Sequence, residues 1–109
     1  MTSFAGKNVL ITGSASGIGR LMAQKIAARG GHVILWDIDR AGLEALADQL
    51  EHWGYRAATY QQCDLSDREE IETTARLVLA EHGDVDILLN NAGIVSGKPL
   101  LELTDEAIK

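Results

Sequence analysis

The sequence predicts an α/β fold in which parallel strands alternate with helices, and three observations support this. Short β-branched apolar runs such as NVLIT (8–12) stop at glycine, as is typical of strands buried on both faces of a sheet. Between these runs, apolar residues recur at helical spacing. The resulting order, β-α-β-α-β-α-β, favours a parallel sheet with right-handed crossovers.

The first part of the chain contains a strand, a helix and a second strand. Asn8–Thr12 is predicted to be a buried strand. The apolar positions of Ile18–Arg29 then repeat at helical spacing, and Gly30 and Gly31 end that helix because glycine tolerates a left-handed cap. His32–Asp37 is predicted to be the second buried strand.

A second helix and a third strand follow. The helix has an apolar stripe with the i, i+3, i+4, i+7 spacing of one face, and Gly54 ends it. The stripe consists of Leu43, Leu46, Ala47 and Leu50. The third strand is predicted at Arg56–Asp64, and its polar middle favours a place at the edge of the sheet.

The last part of the chain adds a helix, a strand and the start of another helix. Ser66–Glu69 matches a capping box that opens the third helix, and Gly83 ends this helix. Val85–Asn90 is predicted to be the fourth strand, and Asn91–Pro99 is predicted to be a loop. Thr104 has the character of an N-cap for a further helix.

Composition restricts the class of protein. The 109 residues suit one domain, and 46% apolar residues are enough for a packed core. A net charge of -6 argues against nucleic acid, whose binding depends on Lys and Arg contacts to phosphates. The chain has one cysteine, Cys63, and its first residues resemble neither a signal peptide nor a membrane anchor. We therefore expect a cytoplasmic protein with no membrane segment.

The stretch VLITGSASGIG (9–19) predicts a phosphate-binding turn between a strand and a helix. Gly13 permits the tight turn, Gly17 lets the backbone approach a pyrophosphate, and Gly19 lets the helix pack closely on the strand. The turn lacks the Lys-Ser/Thr ending of a nucleoside-triphosphate loop. A helix-entry turn without any ligand remains the alternative at this point.

An acidic residue at the end of the second strand supports a dinucleotide. Asp37 lies 18 residues after Gly19, where a carboxylate can accept both ribose hydroxyls of an adenosine and would repel a 2′-phosphate. Arg40 is three residues farther on, and Ser16 rather than a basic residue precedes Gly17. These residues favour NAD over NADP.

Three motifs resemble the short-chain dehydrogenase/reductase family over essentially the whole chain. TGSASGIG (Thr12–Gly19) resembles its TGxxxGxG cofactor motif, and NNAG (Asn90–Gly93) its second hallmark. CDL (Cys63–Leu65) lies where the family places an aspartate that meets the adenine. The resemblance implies an incomplete, Rossmann-type doubly wound parallel sheet with strand order 3-2-1-4, whose switch point lies between strands one and four. The chain, 1–109, would be the N-terminal part of that dinucleotide-binding domain.

The resemblance also implies roles for individual residues. Phosphates and the nearby ribose would be lined by Gly13, Ser16, Gly17, Ile18 and Gly19. Asp37 would hold the adenine-side ribose, while Asp64 and Leu65 would flank the adenine. The segment that runs toward the nicotinamide would be Asn91, Ala92 and Gly93. Thr12 and Asn90 are instead predicted to tie neighbouring strands together.

The implied chemistry is reversible hydride transfer between nicotinamide and an alcohol or ketone, with a Tyr-x-x-x-Lys pair and a Ser in the active site. A tyrosine needs the neighbouring cation because its free pKa of about 10 makes it a poor base at neutral pH. Tyr55 and Tyr60 are the only tyrosines, and Thr59 and Asp64 stand where the lysine would be. No catalytic residue is therefore assigned, and the chain alone is expected to be inactive. A non-catalytic dinucleotide-binding or interaction module is the alternative.

Further features of the sequence concern the substrate class, the oligomeric state, metal binding and the single cysteine. GIGRLMA and ILWDID resemble the branch of the family that acts on hydroxysteroids and retinol-like alcohols. The outer edge of the fourth strand predicts a homo-oligomer, because an open apolar edge invites pairing. His32, His52 and His82 lie near helix ends at irregular spacing, so no metal site is assigned. Cys63 is interpreted as a strand residue rather than a nucleophile.

Overall fold

The computed structural model describes residues 4–55 and 58–91, together with the backbone of 94–95 and 98–99. In chain order, its helices and strands are β1 (Asn8–Thr12), α1 (Gly17–Ala28), β2 (His32–Asp37), α2 (Arg40–His52), β3 (Thr59–Gln62), α3 (Arg68–His82), β4 (Ile87–Asn90), β5 (Ile94–Val95) and β6 (Lys98–Pro99).

Strands β1 to β4 form one parallel sheet in the order β3-β2-β1-β4, which confirms the predicted fold and strand order. In register, Thr12 at the end of β1 lies opposite Trp36 of β2 and Asn90 of β4. Asp37 lies opposite Gln62 at the end of β3. Because all four strands run the same way, the loops that follow them gather along one edge, which we call the carboxyl edge.

Alternate residues of the strands enter two separate cores, one on each face of the sheet. On one face, α1 and α2 cover Val9, Ile11, Val33 and Leu35, which are fully buried. On the other face, α3 packs through Val78 against a second cluster. The sheet members of that cluster are Leu10, Ile34 and Trp36. This two-sided burial explains why β1 and β2 read as continuous apolar runs.

Three helix ends agree with the predicted glycine stops. Positive φ values of 86°, 82° and 75° occur at Gly30, Gly54 and Gly83. Gly30 and Gly54 directly follow the C-cap residues of α1 and α2, and Gly83 is itself the C-cap of α3. Such φ values favour glycine, which has no Cβ to clash with the backbone.

The predicted start of the third helix is wrong by one residue. Asp67, not Ser66, is the N-cap of α3, and its carboxylate accepts a hydrogen bond from the Glu70 N–H at 3.2 Å. The Ser66 hydroxyl turns back instead and donates to Asp64 Oδ1 at 2.7 Å. Glu70, rather than Glu69, reaches back, and it accepts from the Asp64 N–H at 2.9 Å.

The other differences concern the second half of the chain. The described part of the third strand is shorter than predicted, Thr59–Gln62, and β4 begins at Ile87 rather than Val85. The predicted loop after β4 contains an antiparallel pair, β5 with β6. Two-residue strands leave no periodicity in a sequence, so pattern analysis misses them. The predicted helix at Thr104 lies outside the described residues.

Within the described ranges, no helix is both long and apolar enough to span a membrane.

Candidate functional site

The glycine turn between β1 and α1 has the backbone that its sequence predicts. Gly13 and Gly17 have φ values of 65° and 59°, which L side chains rarely adopt. A Cβ on Gly17 would meet no atom within 4 Å, so space outside the turn is open for a ligand. A Cβ on Gly19 would overlap the carbonyl oxygen of Gly13, so only glycine lets α1 approach β1 this closely.

The amino end of α1 can accept an anion. Ser16 is the N-cap residue, and its side chain makes no capping hydrogen bond. The first turn of α1 contains no acidic residue that would neutralise the positive end of the helix dipole. Ser16, Gly17 and Ile18 are all exposed, with Ile18 at 69%. Exposed N–H groups at a helix amino end provide the chemistry of a phosphate site.

Contacts with β2 hold the rest of the turn. Ser14 is fully buried, and both its N–H and its hydroxyl lie 3.3 Å from the Trp36 carbonyl oxygen, to which they donate. The Ala15 N–H donates to Asp37 Oδ2 at 3.0 Å. Sequence reasoning did not identify Ser14 or Ala15, because their partners come from the pairing of β1 with β2.

Asp37 lies at the end of β2, directly beside the glycine turn. Its Oδ1 accepts from the Asp39 N–H at 3.0 Å, in addition to the bond from Ala15 to Oδ2. Asp39 is the N-cap of α2 and accepts from the Gly42 N–H at 3.0 Å. The predicted ribose-binding residue is therefore fixed next to the predicted phosphate-binding turn.

The end of β4 joins the same site. The Asn91 N–H donates to Thr12 Oγ1 at 3.0 Å, and Asn91 Nδ2 donates to the Gly13 carbonyl at 3.1 Å. The Thr12 hydroxyl also lies 3.4 Å from Asn90 Oδ1, which confirms that Thr12 and Asn90 tie β1 to β4. The Asn91 side chain thus contacts the glycine turn directly. Ala92 and Gly93 lie outside the described residues.

Asp64 and Leu65 follow β3 at the carboxyl edge. The Ser66 hydroxyl and N–H both donate to Asp64 Oδ1, and these bonds lower the pKa of that carboxyl, the hydroxyl bond most. Leu65 lines an apolar cavity of about 130 Å³ with Leu10, Trp36 and Ile71 among its other walls. The loop therefore presents a carboxylate and an apolar wall side by side.

Cys63 is buried, with 1% of its surface exposed, and it lies directly after β3 rather than within it. The pKa of its thiol is raised to about 11, mainly by burial; a hydrogen bond with Thr74 lowers it in part, and the nearby Glu70 and Asp64 carboxylates add to the rise. The thiol therefore stays protonated at neutral pH, which is unsuitable for a nucleophile.

The histidines lie away from the carboxyl edge. His32 begins β2 and its ring meets that of His82 edge to face, with centroids 4.8 Å apart. His32 Nδ1 lies 3.1 Å from Asn8 Oδ1, and its Nε2 lies 3.3 Å from Thr59 Oγ1. These contacts give His32 a packing role at the amino edge of the sheet. In the part of the chain that the structure describes, no three His, Cys, Asp or Glu side chains are grouped to hold a metal ion.

The carboxyl edge thus combines a glycine turn with an open helix amino end, a fixed carboxylate on the next strand, and a loop with an apolar wall. A parallel sheet with this site at its switch point defines a dinucleotide-binding α/β protein. The family model for short chain dehydrogenases matches residues 7–109. The chain belongs to the short-chain dehydrogenase/reductase family.

Curated relatives match nearly all of the chain. Human epidermal retinol dehydrogenase 2 is 43% identical over 105 residues, which is 96% of this chain and 34% of the relative. Estradiol 17-beta-dehydrogenase 11 of Macaca fascicularis is 44% identical over 107 residues, 98% of this chain and 35% of the relative. The chain therefore spans about a third of the length of these relatives.

Solved structures match the fold as well. A short-chain dehydrogenase/reductase from Burkholderia phymatum in complex with NAD has a TM-score of 0.78 and 35% identity, covering 86% of this chain and 33% of that one. A metagenomic short-chain oxidoreductase in complex with NADP has a TM-score of 0.79 and 36% identity, covering 85% and 42%.

The Asp64–Ser66 contact generates a prediction about pH. Because the pKa of Asp64 is lower in the folded chain, its bonds stabilise the fold above the ordinary carboxyl pKa. That contribution is lost as the pH falls through the lowered value. Ser66→Ala removes the larger cause, so we expect the pKa of Asp64 to rise toward its ordinary value. A carbon-13 NMR titration of the carboxyl measures this.

Ser66→Thr is the matched control, because threonine keeps the hydroxyl and should keep the low pKa of Asp64. The account of this loop is wrong if Ser66→Ala leaves the Asp64 titration midpoint where it is in the unaltered chain.

Proposed function

We propose that this chain forms the cofactor-binding part of an NAD-dependent oxidoreductase that transfers a hydride between nicotinamide and an alcohol or carbonyl substrate. The family supports the reaction class. The observation that carries the proposal is the Asp37 carboxylate held 3.0 Å from the Ala15 N–H of the glycine turn, since this puts a ribose-binding group beside a phosphate-binding one.

The residues of this chain fit such a cofactor. A nicotinamide dinucleotide brings a pyrophosphate, two riboses and an adenine to a binding site. The open amino end of α1 at Gly17 suits the pyrophosphate, and Asp37 suits the hydroxyls of the adenosine ribose. Asp64 and Leu65 would flank the adenine, and Asn91, Ala92 and Gly93 would lead toward the nicotinamide.

The preference for NAD over NADP rests on charge. Asp37 would lie against any 2′-phosphate, and the negative charges of the carboxylate and the phosphate would repel each other. Arg40, the first basic residue after Asp37 in the sequence, forms an exposed pair with Glu44, with Arg40 Nε 3.0 Å from Glu44 Oε1. That pair is weak because both groups are solvated, but it gives the guanidinium a local partner other than a 2′-phosphate.

When bound, the nicotinamide ring supplies the hydride donor or acceptor. The residues of this chain bind and orient it: N–H groups of the glycine turn would donate to the phosphates, and Asp37 would accept from the ribose. The acid–base step needs other residues, because neither Tyr55 nor Tyr60 has a lysine four positions later. We therefore propose that the 109-residue chain binds the cofactor without turning over substrate.

The substrate proposal is an apolar alcohol or ketone of the retinol or steroid class. Support comes from two of the relatives, a retinol dehydrogenase and an estradiol dehydrogenase. The motifs GIGRLMA and ILWDID point to the same branch. A cytoplasmic location stays a prediction from the sequence.

The first prediction from this proposal is that the chain binds NADH more tightly than NADPH. We expect the dissociation constant of NADH to be lower than that of NADPH by about tenfold or more, because a 2′-phosphate would face Asp37. Titration of the fluorescence of each reduced cofactor measures both constants under the same conditions. Equal constants, or tighter NADPH binding, would contradict the NAD assignment.

Gly19→Ala tests the close approach of α1. Helix propensity alone would stabilise the chain by about 1 kcal/mol, but the added methyl overlaps the Gly13 carbonyl, so we expect a loss of about 1–3 kcal/mol. NADH binding should weaken with it, since the turn must shift. Urea unfolding and NADH titration measure the two effects.

Gly54→Ala is the matched control. Gly54 has a positive φ of 82°, which Gly19 in the helix does not, and it lies in open space after α2 and away from the carboxyl edge. The substitution should cost about 1–2 kcal/mol of stability and leave NADH binding unchanged. If Gly19→Ala instead stabilises the chain and binds NADH normally, the close approach is not needed.

Self-association is proposed from the sheet edge. Among the described residues, β4 pairs only with β1, and Leu88 on β4 is 39% exposed. An open apolar edge favours pairing with a second copy. Light scattering at micromolar concentration should give a mass above 11.8 kDa, and a monomer would count against the proposal.

A further inference from the structure

Both oxygens of the Asp37 carboxylate are engaged by backbone N–H groups from two different segments. Oδ2 accepts from Ala15 in the glycine turn, and Oδ1 accepts from Asp39 ahead of α2, each at 3.0 Å. Neither contact is needed to form the sheet. Asp37 thus links the turn after β1 to the connection after β2.

We propose that Asp37 is a positioning residue for the phosphate-binding turn, in addition to the ribose-binding role that the proposed function gives it. The inference rests on that proposed function, because it concerns the same site. It differs in what it claims: Asp37 supports the binding of a pyrophosphate even when the ligand has no ribose hydroxyl to offer.

The hydrogen-bonding capacity of a carboxylate permits both roles. A carboxylate has about four acceptor positions, two on each oxygen. The Ala15 and Asp39 N–H groups occupy one position on each oxygen. One position on each oxygen then remains for the two hydroxyls of a ribose. The backbone bonds fix the carboxylate before any ligand arrives, which lowers the entropy cost of binding.

The surroundings of Ala15 make this link specific. Ala15 is 5% exposed and packs beside Gly42 of α2, where an added Cβ would lie 2.8 Å from the Ala15 Cβ. Its neighbour Ser14 is held separately by the Trp36 carbonyl. On the other side, Asn91 holds the Gly13 carbonyl. Asp37 is thus the side chain that fixes the turn at Ala15, one residue before the N-cap of α1.

Removing the Asp37 carboxylate has two opposing effects on the affinity for a ligand that has no ribose hydroxyls. Loss of a negative charge near the pyrophosphate should tighten the binding of an anion. Loss of the bond to the Ala15 N–H should loosen the turn and weaken that binding. A residue that only contacts the ribose would show the first effect alone, so the sign of the change distinguishes the two roles.

The experiment measures the dissociation constants of ADP and of 2′,3′-dideoxy-ADP by calorimetry, for the unaltered protein and for Asp37→Ala. The unaltered protein should bind ADP more tightly, since only ADP has the hydroxyls. Asp37→Ala should raise the constant for 2′,3′-dideoxy-ADP about fivefold to tenfold. Tighter or unchanged binding of 2′,3′-dideoxy-ADP by this variant would overturn the positioning role.

Asp39→Asn is the matched control for charge. It removes one negative charge two residues from Asp37, and asparagine caps a helix about as well as aspartate. The Asp39 N–H that Asp37 uses belongs to the backbone and is kept. We expect the dissociation constant for 2′,3′-dideoxy-ADP to stay within about twofold of the unaltered value or to fall slightly.

Amide hydrogen exchange tests the hydrogen bond between the Ala15 N–H and Asp37 in the absence of any ligand. In Asp37→Ala, exchange at the Ala15 amide should accelerate about tenfold or more, while the Ser14 amide keeps its protection. Unchanged exchange at Ala15 would overturn the inference. If Asp37→Ala does not fold, Asp37→Ser is measured in the same way. If the unaltered protein binds neither nucleotide, the proposed function itself is wrong and this inference falls with it.

Discussion

The close approach of α1 to the end of β1 is the constraint on which the rest of the site depends. Gly19 has no Cβ, so the helix backbone can lie against the Gly13 carbonyl, which Asn91 also holds by a hydrogen bond at 3.1 Å. That position sets the direction of the helix and leaves its amino end open at the carboxyl edge. A methyl group at this one place would displace the turn, the helix end and the contact with β4 together.

The parallel sheet then brings distant parts of the sequence to this turn. Asp37 is 22 residues from its partner Ala15, and Asn91 is 78 residues from Gly13. Both meet the turn because every strand of the sheet ends at the same edge. Backbone groups of the turn that face the protein are satisfied by Trp36, Asp37 and Asn91. Ser16, Gly17 and Ile18 at the amino end of α1 are exposed, so a phosphate can reach this end of the helix.

The sequence predicted the parts of the fold that local pattern determines. The bounds of β1 and β2 follow from continuous apolar runs buried on both faces, and the strand order follows from family resemblance and crossover geometry. The start of α3 could not be fixed, because Ser66 and Asp67 are both good caps and Glu69 and Glu70 both follow at the right spacing. The roles of Ser14 and Ala15 were not predictable, since their partners on β2 depend on strand pairing. The individual roles of the cofactor-binding residues stay predictions.

The central claim is that a dinucleotide binds along the carboxyl edge, and an NMR titration of backbone amides with NADH tests it most directly. We expect the largest changes in amide chemical shift at residues 13–19, at Asp37, at Asp64 and Leu65, and at Asn91. Amides at the amino edge, such as those of Asn8 and His32, should move little. Changes centred on the amino edge, or none at saturating NADH, would contradict the account.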